Sequence, residues 1–250
     1  MRRSISHFAT RLLHKLVPHH CPICDAIIAE QGLCPACWAN LSFISEPICQ
    51  RCGRPHRLSI ADGDMLCALC LRDESPLRYR RAVLHYDDAS KALILPFKHA
   101  SRVDLAPLMA QMMAPQCRTL LRRNTNDEKQ TKVIPIPLHI TRRAYRRYNQ
   151  SAELAREICT LLNCRSQLDV TSLYRKRATS SLARHNKAKR DNILRHAFAI
   201  RQRNSLSLEG CPILLIDDVM TTGRTAHHAA LCLAAHGAGP IDCLTFARVH

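Results

Sequence analysis

The pattern of hydrophobic and polar residues changes near residue 79, and from there the chain alternates between strand-like and helix-like segments. Residues 79–87 (YRRAVLHYD) have the pattern of a strand, and residues 89–99 and 103–113 have the spacing of helices. Residues 133–137 (VIPIP) predict a short buried strand that prolines end. Residues 149–162 predict an amphipathic helix, because their small and apolar residues share one face.

The same alternation continues to the C-terminus. Residues 169–174 and 197–200 are candidate strands. Residues 211–217 (CPILLID) are an apolar run that ends at the first of two adjacent acids, as expected of a central parallel strand. Residues 224–236 predict the following helix, and residues 241–249 predict a last strand. The pattern predicts an α/β fold, a parallel sheet flanked by helices, whose ligands bind at the carboxyl ends of the strands.

The N-terminal segment predicts a short amphipathic helix over residues 1–18. Four apolar residues at helical spacing alternate with four basic ones: Ile5, Phe8, Leu12 and Leu16 with Arg2, Arg3, Arg11 and Lys15. The helix either packs on the protein body or contacts a membrane surface. We predict neither a secretory signal nor a membrane span, because charge interrupts the apolar run and no cleavage site follows.

Eight of the 14 cysteines form four C-x-x-C pairs, which predict zinc sites. The pairs are Cys21 and Cys24, Cys34 and Cys37, Cys49 and Cys52, and Cys67 and Cys70. Two such pairs supply the four thiolates of a tetrahedral site, so we expect two structural Zn²⁺ ions in a double zinc ribbon over residues 19–75. Sequential grouping of the pairs is simplest. A crossed grouping, one zinc with a degenerate second site, and an iron–sulfur cluster remain alternatives.

Zinc held by four protein ligands has no open position for substrate, so these ions are expected to fold the module and to perform no chemistry. Thiolate ligands need a reducing compartment, which predicts a cytoplasmic protein. The remaining six cysteines are scattered singly and are interpreted as small core residues: Cys117, Cys159, Cys164, Cys211, Cys232 and Cys243.

Positive charge is concentrated in one segment of the chain. The formal net charge is +17, and residues 135–203 contain 16 Lys and Arg against 4 Asp and Glu. A solvated basic face that maintains solubility is the simplest interpretation of a charge excess. Its concentration favours a polyanionic ligand, which is phosphate esters, nucleic acid, or both.

Residues 214–226 (LLIDDVMTTGRTA) combine an acidic pair with an anion-binding turn. In the predicted fold they form the end of a strand, a loop and a helix N-terminus, where backbone N–H groups, hydroxyls and the helix dipole favour an anion. The predicted phosphate-binding residues are Met220, Thr221, Thr222, Gly223, Arg224 and Thr225. Asp217 and Asp218 are expected to accept hydrogen bonds from neutral hydroxyls, so a ribose 5-phosphate satisfies both halves. The alternatives are an acidic pair that caps a helix or binds a lone cation.

This stretch resembles the phosphoribosyl pyrophosphate (PRPP) motif of type I phosphoribosyltransferases, and residues 21–250 resemble the ComF/GntX family of competence and DNA-utilisation proteins. The resemblance implies a double zinc ribbon followed by a type I phosphoribosyltransferase-like domain, here residues 79–250. It also implies PRPP binding at Asp217, Asp218 and residues 220–225, with Mg²⁺ bridging the pyrophosphate and the ribose.

Two further elements of that family have counterparts here. A loop that ends in R-G-F-N-Q corresponds to RRYNQ, in which Arg147 replaces the glycine, and a flexible loop matches at Arg177 while Leu182 replaces a glutamine. The resemblance implies that these loops hold pyrophosphate, through Arg142, Arg143, Arg146, Arg147, Asn149, Gln150, Arg177, Lys187, Lys189 and Arg190. A solvated basic helix start is the alternative for the first loop, and DNA phosphates are alternative ligands of the second.

Three functions fit these residues. The first is a PRPP-binding protein in the uptake or use of single-stranded DNA, whose zinc ribbons and basic loops contact DNA or a DNA-processing partner. The second is an active phosphoribosyltransferase with an unidentified acceptor. The third is a zinc-ribbon adaptor whose second domain is a relic. No His, Glu or Asp stands out as a general base, so no catalytic residue is assigned.

Overall fold

The computed structural model describes residues 18–56, 65–123, 130–138, 148–176, 197–201 and 208–249. Within it the chain divides into two compact units, Met1–Leu41 and Ser42–His250. This division groups the second set of zinc-binding cysteines with the α/β sheet, and the predicted boundaries of the zinc-ribbon domain stay a prediction. The N-terminal helix predicted over residues 1–18 falls almost entirely outside the described residues.

The first unit is a small cysteine-centred fold. Strand β1 (His19–His20) pairs antiparallel with β2 (Ile27–Ile28), and helix α1 (Pro35–Ala39) follows. Cys34 caps helix α1, and its sulfur accepts a hydrogen bond from the Cys37 backbone N–H. The core of the unit consists of Cys21, Cys34 and Cys37 with three partly buried aliphatic side chains. The unit buries little apolar area, so its stability depends on a metal ion bound by its cysteines.

The second unit is an α/β fold built on a four-stranded parallel sheet. In chain order its elements are α2 (Ala68–Leu71), β3 (Leu77–His85), α3 (Asp88–His99), a 3₁₀ turn (Val103–Leu105), α4 (Ala106–Arg122), β4 (Lys132–Pro135), α5 (Gln150–Leu161), a 3₁₀ turn (Arg165–Gln167), β5 (Leu173–Arg175), β6 (Phe198–Ile200), β7 (Ile213–Met220), α6 (Arg224–Ala234) and β8 (Ile241–Arg248). The sheet order is β3–β8–β7–β4, and β5 and β6 form a separate antiparallel pair. The predicted fold class, a parallel sheet with flanking helices preceded by a cysteine-rich module, is confirmed.

Two interior strands form the centre of the core. The Ile213–Ile216 segment of β7 is buried, and every residue of β8 is buried as well. Helices α4 and α5 pack against each other and on the sheet, and the buried face of α6 packs with β6 against Ile213, Leu215 and Cys243. Five of the six single cysteines are buried, and Cys232 is half-buried, which confirms their interpretation as core residues.

The structure shifts two of the predicted boundaries. Residues 103–113 were expected to form one helix, but a 3₁₀ turn comes first and α4 then runs to Arg122, with Pro107 in its first turn, where a missing N–H costs nothing. Strand β7 continues through both acids to Met220, because β8 pairs alongside it as far as Met220 and Arg248. Asp217 and Asp218 are therefore strand residues.

Candidate functional site

The eight paired cysteines form two clusters, grouped sequentially along the chain. One contains Cys21, Cys24, Cys34 and Cys37, the other Cys49, Cys52, Cys67 and Cys70, and within each the sulfur atoms lie within 4.8 Å of one another. A tetrahedral ZnS₄ site with Zn–S bonds of about 2.3 Å requires sulfur–sulfur distances of about 3.8 Å. The Cys24–Cys34 and Cys52–Cys67 sulfurs are 3.6 and 3.7 Å apart. Both clusters therefore fit a structural Zn²⁺ ion.

Backbone N–H groups prepare these sulfurs to bind a cation. Burial opposes ionisation of Cys21 and Cys49, yet the N–H groups directed at each sulfur outweigh burial and lower the pKa of both thiols to about 6. One of these donors is the Cys67 N–H, 3.3 Å from the Cys49 sulfur. The thiolate form, which is the form that ligates zinc, is thus favoured at Cys21 and Cys49. Burial and the neighbouring sulfurs raise the pKa of Cys37 and Cys70.

Arginine side chains attach the second cluster to the sheet. The Arg51 guanidinium donates to the carbonyl oxygens of Cys70 and Ser75, at 3.3 and 2.6 Å. From β3, Arg80 donates to the Cys70 sulfur at 3.4 Å and to the Asp73 carboxylate at 2.5 Å. Burial acts to raise the pKa of the Asp73 carboxyl group. The ion pair with Arg80 outweighs burial, so the pKa is lowered.

The predicted phosphate-binding residues 220–225 (the phosphate loop) span the end of β7, the turn at residues 221–223 and the start of α6. Gly223 precedes the first helical residue with φ +76° and ψ 3°, a left-handed conformation that suits glycine. This residue has no side chain with which to cap the helix. A cavity of about 240 Å³, including solvent space at its mouth, is lined by Asp217, Val219, Met220, Thr221, Gly223, Thr225, Ala226 and Thr245.

The two acids have different surroundings. Asp217 lines the cavity, and its Oδ1 accepts hydrogen bonds from the Ser151 hydroxyl at 2.8 Å and from the Asp218 N–H at 2.9 Å. Asp218 is 8% exposed, does not line the cavity, and pairs with the Lys98 ammonium group at 3.2 Å. Desolvation and the neighbouring Asp218 charge raise the pKa of Asp217 to about 7.

Of the predicted pyrophosphate residues, the structure describes Asn149 and Gln150. The Asn149 amide donates to the Ile136 carbonyl at 3.3 Å, and the Gln150 amide donates to the Lys98 carbonyl at 3.3 Å. Their own oxygens, Oδ1 and Oε1, are buried without a hydrogen-bond partner among the described residues. Eight predicted residues lie outside the described ranges: Arg142, Arg143, Arg146, Arg147, Arg177, Lys187, Lys189 and Arg190.

The phosphate loop is connected on both sides to the second cysteine cluster. On the strand side, Met220 pairs with Arg248 of β8, and the Arg248 guanidinium donates to the Cys52 carbonyl. On the helix side, His227 Nδ1 lies 2.8 Å from the hydroxyl oxygen of Ser75, which is buried. Burial and the nearby Arg80 and Arg224 charges outweigh Asp73 and lower the pKa of His227, so the imidazole is neutral at pH 7.

Sequence reasoning identified the loop and both acids but missed Lys98, Ser151 and the contact between His227 and Ser75. Lys98 and Asp218 are far apart in sequence, and nothing near Lys98 marks it as a partner of an acid. Ser151 directly follows the Asn149–Gln150 pair in the first turn of a helix, and that position was the one signal in the sequence that could have drawn attention to it.

Comparisons with known proteins match both parts of the chain. Residues 12–71 match the model of the double zinc ribbon domain. The chain is 26% identical to the DNA utilization protein YhgH of Salmonella typhimurium over 93% of this chain and 98% of that protein. It is 27% identical to the competence protein ComFC of Bacillus subtilis over 94% of this chain and 96% of that protein.

Among solved structures, a hypoxanthine phosphoribosyl transferase from Trypanosoma cruzi aligns with a TM-score of 0.37 and 10% identity, over 57% of this chain and 64% of that chain. This likeness carries no weight for function. Within the described residues, no helix is long and apolar enough to cross a membrane. The chain therefore contains a double zinc ribbon, and over most of its length it is a homologue of the proteins named DNA utilization protein YhgH and competence protein ComFC, in agreement with its resemblance to the ComF/GntX family.

Proposed function

We propose that this protein binds PRPP, with the 5-phosphate in the loop of residues 220–225 and the ribose hydroxyls at the acidic pair. The observation that carries the proposal is one cavity bordered both by Asp217 and by the loop that opens α6. Backbone N–H groups and threonine hydroxyls suit a phosphate, whereas a carboxylate suits the neutral hydroxyls of a sugar. A ligand that carries both groups matches both kinds of lining group.

Asp217 is the direct acceptor in this proposal, because it is the acid that lines the cavity. In the described structure it already accepts a hydrogen bond from one hydroxyl, that of Ser151. A ribose hydroxyl brings the same kind of donor to the same carboxylate. Asp218 pairs with Lys98 and adds a carboxylate beside Asp217 without lining the cavity.

Bound PRPP brings a need for a divalent cation, because its pyrophosphate is strongly anionic. Magnesium prefers oxygen ligands and often binds through substrate phosphates together with one or two carboxylates. The cavity offers the Asp217 carboxylate and the hydroxyls of Thr221, Thr225 and Thr245, which are oxygen donors of this type. Mg²⁺ would supply neutralisation of the pyrophosphate charge, and the chain's own residues would orient the sugar.

The proposed site discriminates ribose 5-phosphate from inorganic phosphate. We expect ribose 5-phosphate to bind at least about tenfold more tightly in isothermal titration above pH 7, because the sugar adds hydrogen bonds to a charged acceptor worth about 1.5–3 kcal/mol. Ribose alone should bind far more weakly than either. Equal affinities for ribose 5-phosphate and phosphate would mean that the cavity contains no sugar site.

We propose that PRPP binding serves the handling of DNA, as the names of the homologous proteins suggest. The chain's net charge of +17 supports contact with a polyanion. Aromatic residues make up only 4% of the chain, which limits stacking on bases. The Tyr148 hydroxyl donates to the Phe97 carbonyl, and the Tyr79 ring is covered by the guanidinium groups of Arg78, Arg81 and Arg123. The zinc ribbons and basic loops would then bind DNA mainly through its phosphates.

Phosphate-driven binding predicts a steep dependence on salt. Affinity for a single-stranded oligonucleotide, measured by fluorescence anisotropy, should fall by at least about tenfold between 50 and 200 mM salt, because each neutralised phosphate releases a counterion. A poly-dT probe and a mixed sequence should give similar slopes. An affinity that does not change with salt would contradict this part of the proposal.

An active phosphoribosyltransferase with an unidentified acceptor is the second candidate function. The cavity and the two acids suit an enzyme as well as a binding protein. Transfer of a phosphoribosyl group requires an oriented sugar and a pyrophosphate whose charge is neutralised. Release of pyrophosphate from PRPP in the presence of a panel of bases and amines separates the two candidates. A binding protein gives only background release with every acceptor.

A further inference from the structure

Three arginine side chains of the second unit converge on one tyrosine ring. The guanidinium carbons of Arg123, Arg78 and Arg81 lie 4.6, 5.0 and 5.4 Å from the centroid of the Tyr79 ring. Arg78, Tyr79 and Arg81 belong to β3, and Arg123 is the C-cap of α4. At these distances each guanidinium is attracted by the aromatic ring. These four residues are called the Tyr79 cluster below.

The positive charge of the Tyr79 cluster is only partly neutralised. The Arg78 guanidinium binds the buried Asp242 carboxylate through two hydrogen bonds, at 3.1 and 2.7 Å. Arg81 is 9% exposed, and its hydrogen-bond acceptors among the described residues are backbone carbonyls, of which that of Gln50 is closest at 2.7 Å. Within the described part of the chain, no carboxylate forms an ion pair with Arg81 or Arg123.

The two unpaired cations repel each other. Burial and the Arg123 charge lower the pKa of Arg81, against a smaller opposing effect of Glu46. Arg81 stays protonated at pH 7, so the repulsion persists. The dipole of α4 favours a cation at its C-terminal end, but it does not explain why Arg123 lies over a ring that other guanidinium groups already contact. A bound anion would offset the repulsion.

The geometry of the Tyr79 cluster suits a phosphate group. A guanidinium group binds phosphate oxygens through two parallel N–H donors, and it can do so while it stacks on an aromatic ring. Arg123 is exposed and can therefore reach a ligand on the surface, whereas the buried Arg81 adds its charge from below. One exposed guanidinium gives a free phosphate few contacts, so a phosphate that belongs to a longer chain fits this surface better.

The Tyr79 cluster adjoins the turn between Cys49 and Cys52. The Gln50 carbonyl that Arg81 binds is part of this turn. A Cβ at Gly53 would come within 3.5 Å of the Arg81 side chain, so the backbone that follows Cys52 lies directly against it. A nucleic acid strand bound to this zinc ribbon would continue onto β3 and the end of α4.

We propose that the Tyr79 cluster is a phosphate-binding site for single-stranded DNA. Arg123 donates to one backbone phosphate of the strand, Arg81 supplies a fixed positive charge, and the Tyr79 ring orients Arg123. This inference rests on the proposed role in DNA handling and adds a specific surface to it. None of the four residues lines the cavity at the phosphate loop, so this site is separate from the proposed PRPP site.

The cluster variants are expected to separate charge from orientation. Each phosphate contact on a single strand contributes about 0.7 to the slope of log affinity against log salt. Arg123→Gln should therefore reduce this slope by about 0.7 and the affinity by about fivefold at about 100 mM salt. Tyr79→Leu keeps every charge and removes the ring that orients Arg123, so the affinity should fall about two- to fivefold while the slope stays nearly the same.

The experiment measures binding of a fluorescent oligo-dT strand to the full zinc-loaded chain by anisotropy, between about 50 and 200 mM salt. Wild type, Arg123→Gln, Arg123→Lys and Tyr79→Leu are compared. The matched control is Arg102→Gln, which removes an exposed arginine ahead of the first turn of α4, where its partner is Asp104. The control loses the same net charge and so corrects for the long-range field of the protein. Inorganic phosphate and poly-glutamate are titrated as alternative anions.

We expect Arg123→Gln to lose affinity and slope, Arg123→Lys to retain the slope, and Arg102→Gln to stay close to wild type. Equal slopes in Arg123→Gln and Arg102→Gln overturn the inference and leave the proposed function intact. Weaker binding of inorganic phosphate by Arg123→Gln also overturns it, because Arg123 would then act at the phosphate loop.

Two further outcomes decide the partner. If Arg123→Gln loses affinity for poly-glutamate but not for oligo-dT, the surface belongs to an acidic protein segment and the inference is wrong. If wild type does not bind oligo-dT even at about 50 mM salt, the proposed role in DNA handling fails, and this inference fails with it.

Discussion

Replacing Cys49 with serine is expected to remove one zinc ion and to weaken phosphate binding by more than about tenfold. Cys49 is fully buried in the second cluster, and structural zinc contributes on the order of 10 kcal/mol to the folding of small zinc modules. Loss of this ion should loosen the segment that carries Cys52 and Ser75. Those two residues contact Arg248 and His227, on either side of the phosphate loop. The loop would then lose both supports.

The first cysteine cluster supplies the matched control for this prediction. Cys24→Ser also removes one of four zinc ligands, but its cluster belongs to the other compact unit. We expect both variants to bind one zinc per chain, measured by metal release with a thiol reagent. Only Cys49→Ser should lose affinity for phosphate. A Cys49→Ser protein with one zinc and wild-type phosphate affinity would show that the second cluster does not support the loop.

Replacing Gly223 with alanine should weaken phosphate binding by about tenfold while destabilising the fold only moderately. Alanine in the left-handed region costs about 1–2 kcal/mol, and a Cβ at this position would meet Met220 Sδ at 3.6 Å, an ordinary contact. The loop can relieve the strain by changing φ at residue 223. That change turns the N–H groups at the start of α6 away from the cavity, so the main loss is in anion binding.

Gly237 provides a control with the same backbone conformation away from the cavity. Its φ is +77° against +76° for Gly223, and a Cβ there would meet the Glu209 side chain at 3.4 Å. Denaturant unfolding should report similar losses of stability for Gly223→Ala and Gly237→Ala. Titration with phosphate should separate them, because only the first variant alters the loop. Equal phosphate affinities in the two variants would contradict the assignment of the loop.

Features encoded by adjacent residues could be predicted from the sequence. A C-x-x-C pair places two thiolates on one ion by local geometry alone, and both predicted clusters are present in the structure. The residues from the apolar strand through Asp217 and Asp218 to Gly223 are likewise consecutive in the sequence. Their strand, loop and helix could be predicted from the pattern of hydrophobic residues and from the position of Gly223. The positions of these elements in a parallel sheet followed from the alternation of strands and helices.

Features that depend on distant residues could not be predicted. The partner of Asp218 is a lysine at the end of α3, and a lysine in the last helical turn is ordinarily explained by the helix dipole. The second cluster is attached to β3 by hydrogen bonds that Arg51 donates to backbone carbonyls and that Arg80 donates to a sulfur. Acceptors of this kind leave no pattern in the sequence. The extension of β7 through the acids depended on how far β8 pairs alongside it. These are properties of packing.

The central claim is that one cavity binds both the phosphate and the sugar of a phosphoribosyl ligand. The most direct measurement compares titrations of PRPP with Mg²⁺, of ribose 5-phosphate and of inorganic phosphate, in wild type and in the double variant Asp217→Asn/Asp218→Asn. We predict that the wild type prefers the two sugar ligands by at least about tenfold, that the double variant loses this preference, and that its affinity for inorganic phosphate is not reduced. Equal binding of PRPP by the two proteins, or no binding by wild type, would contradict the claim.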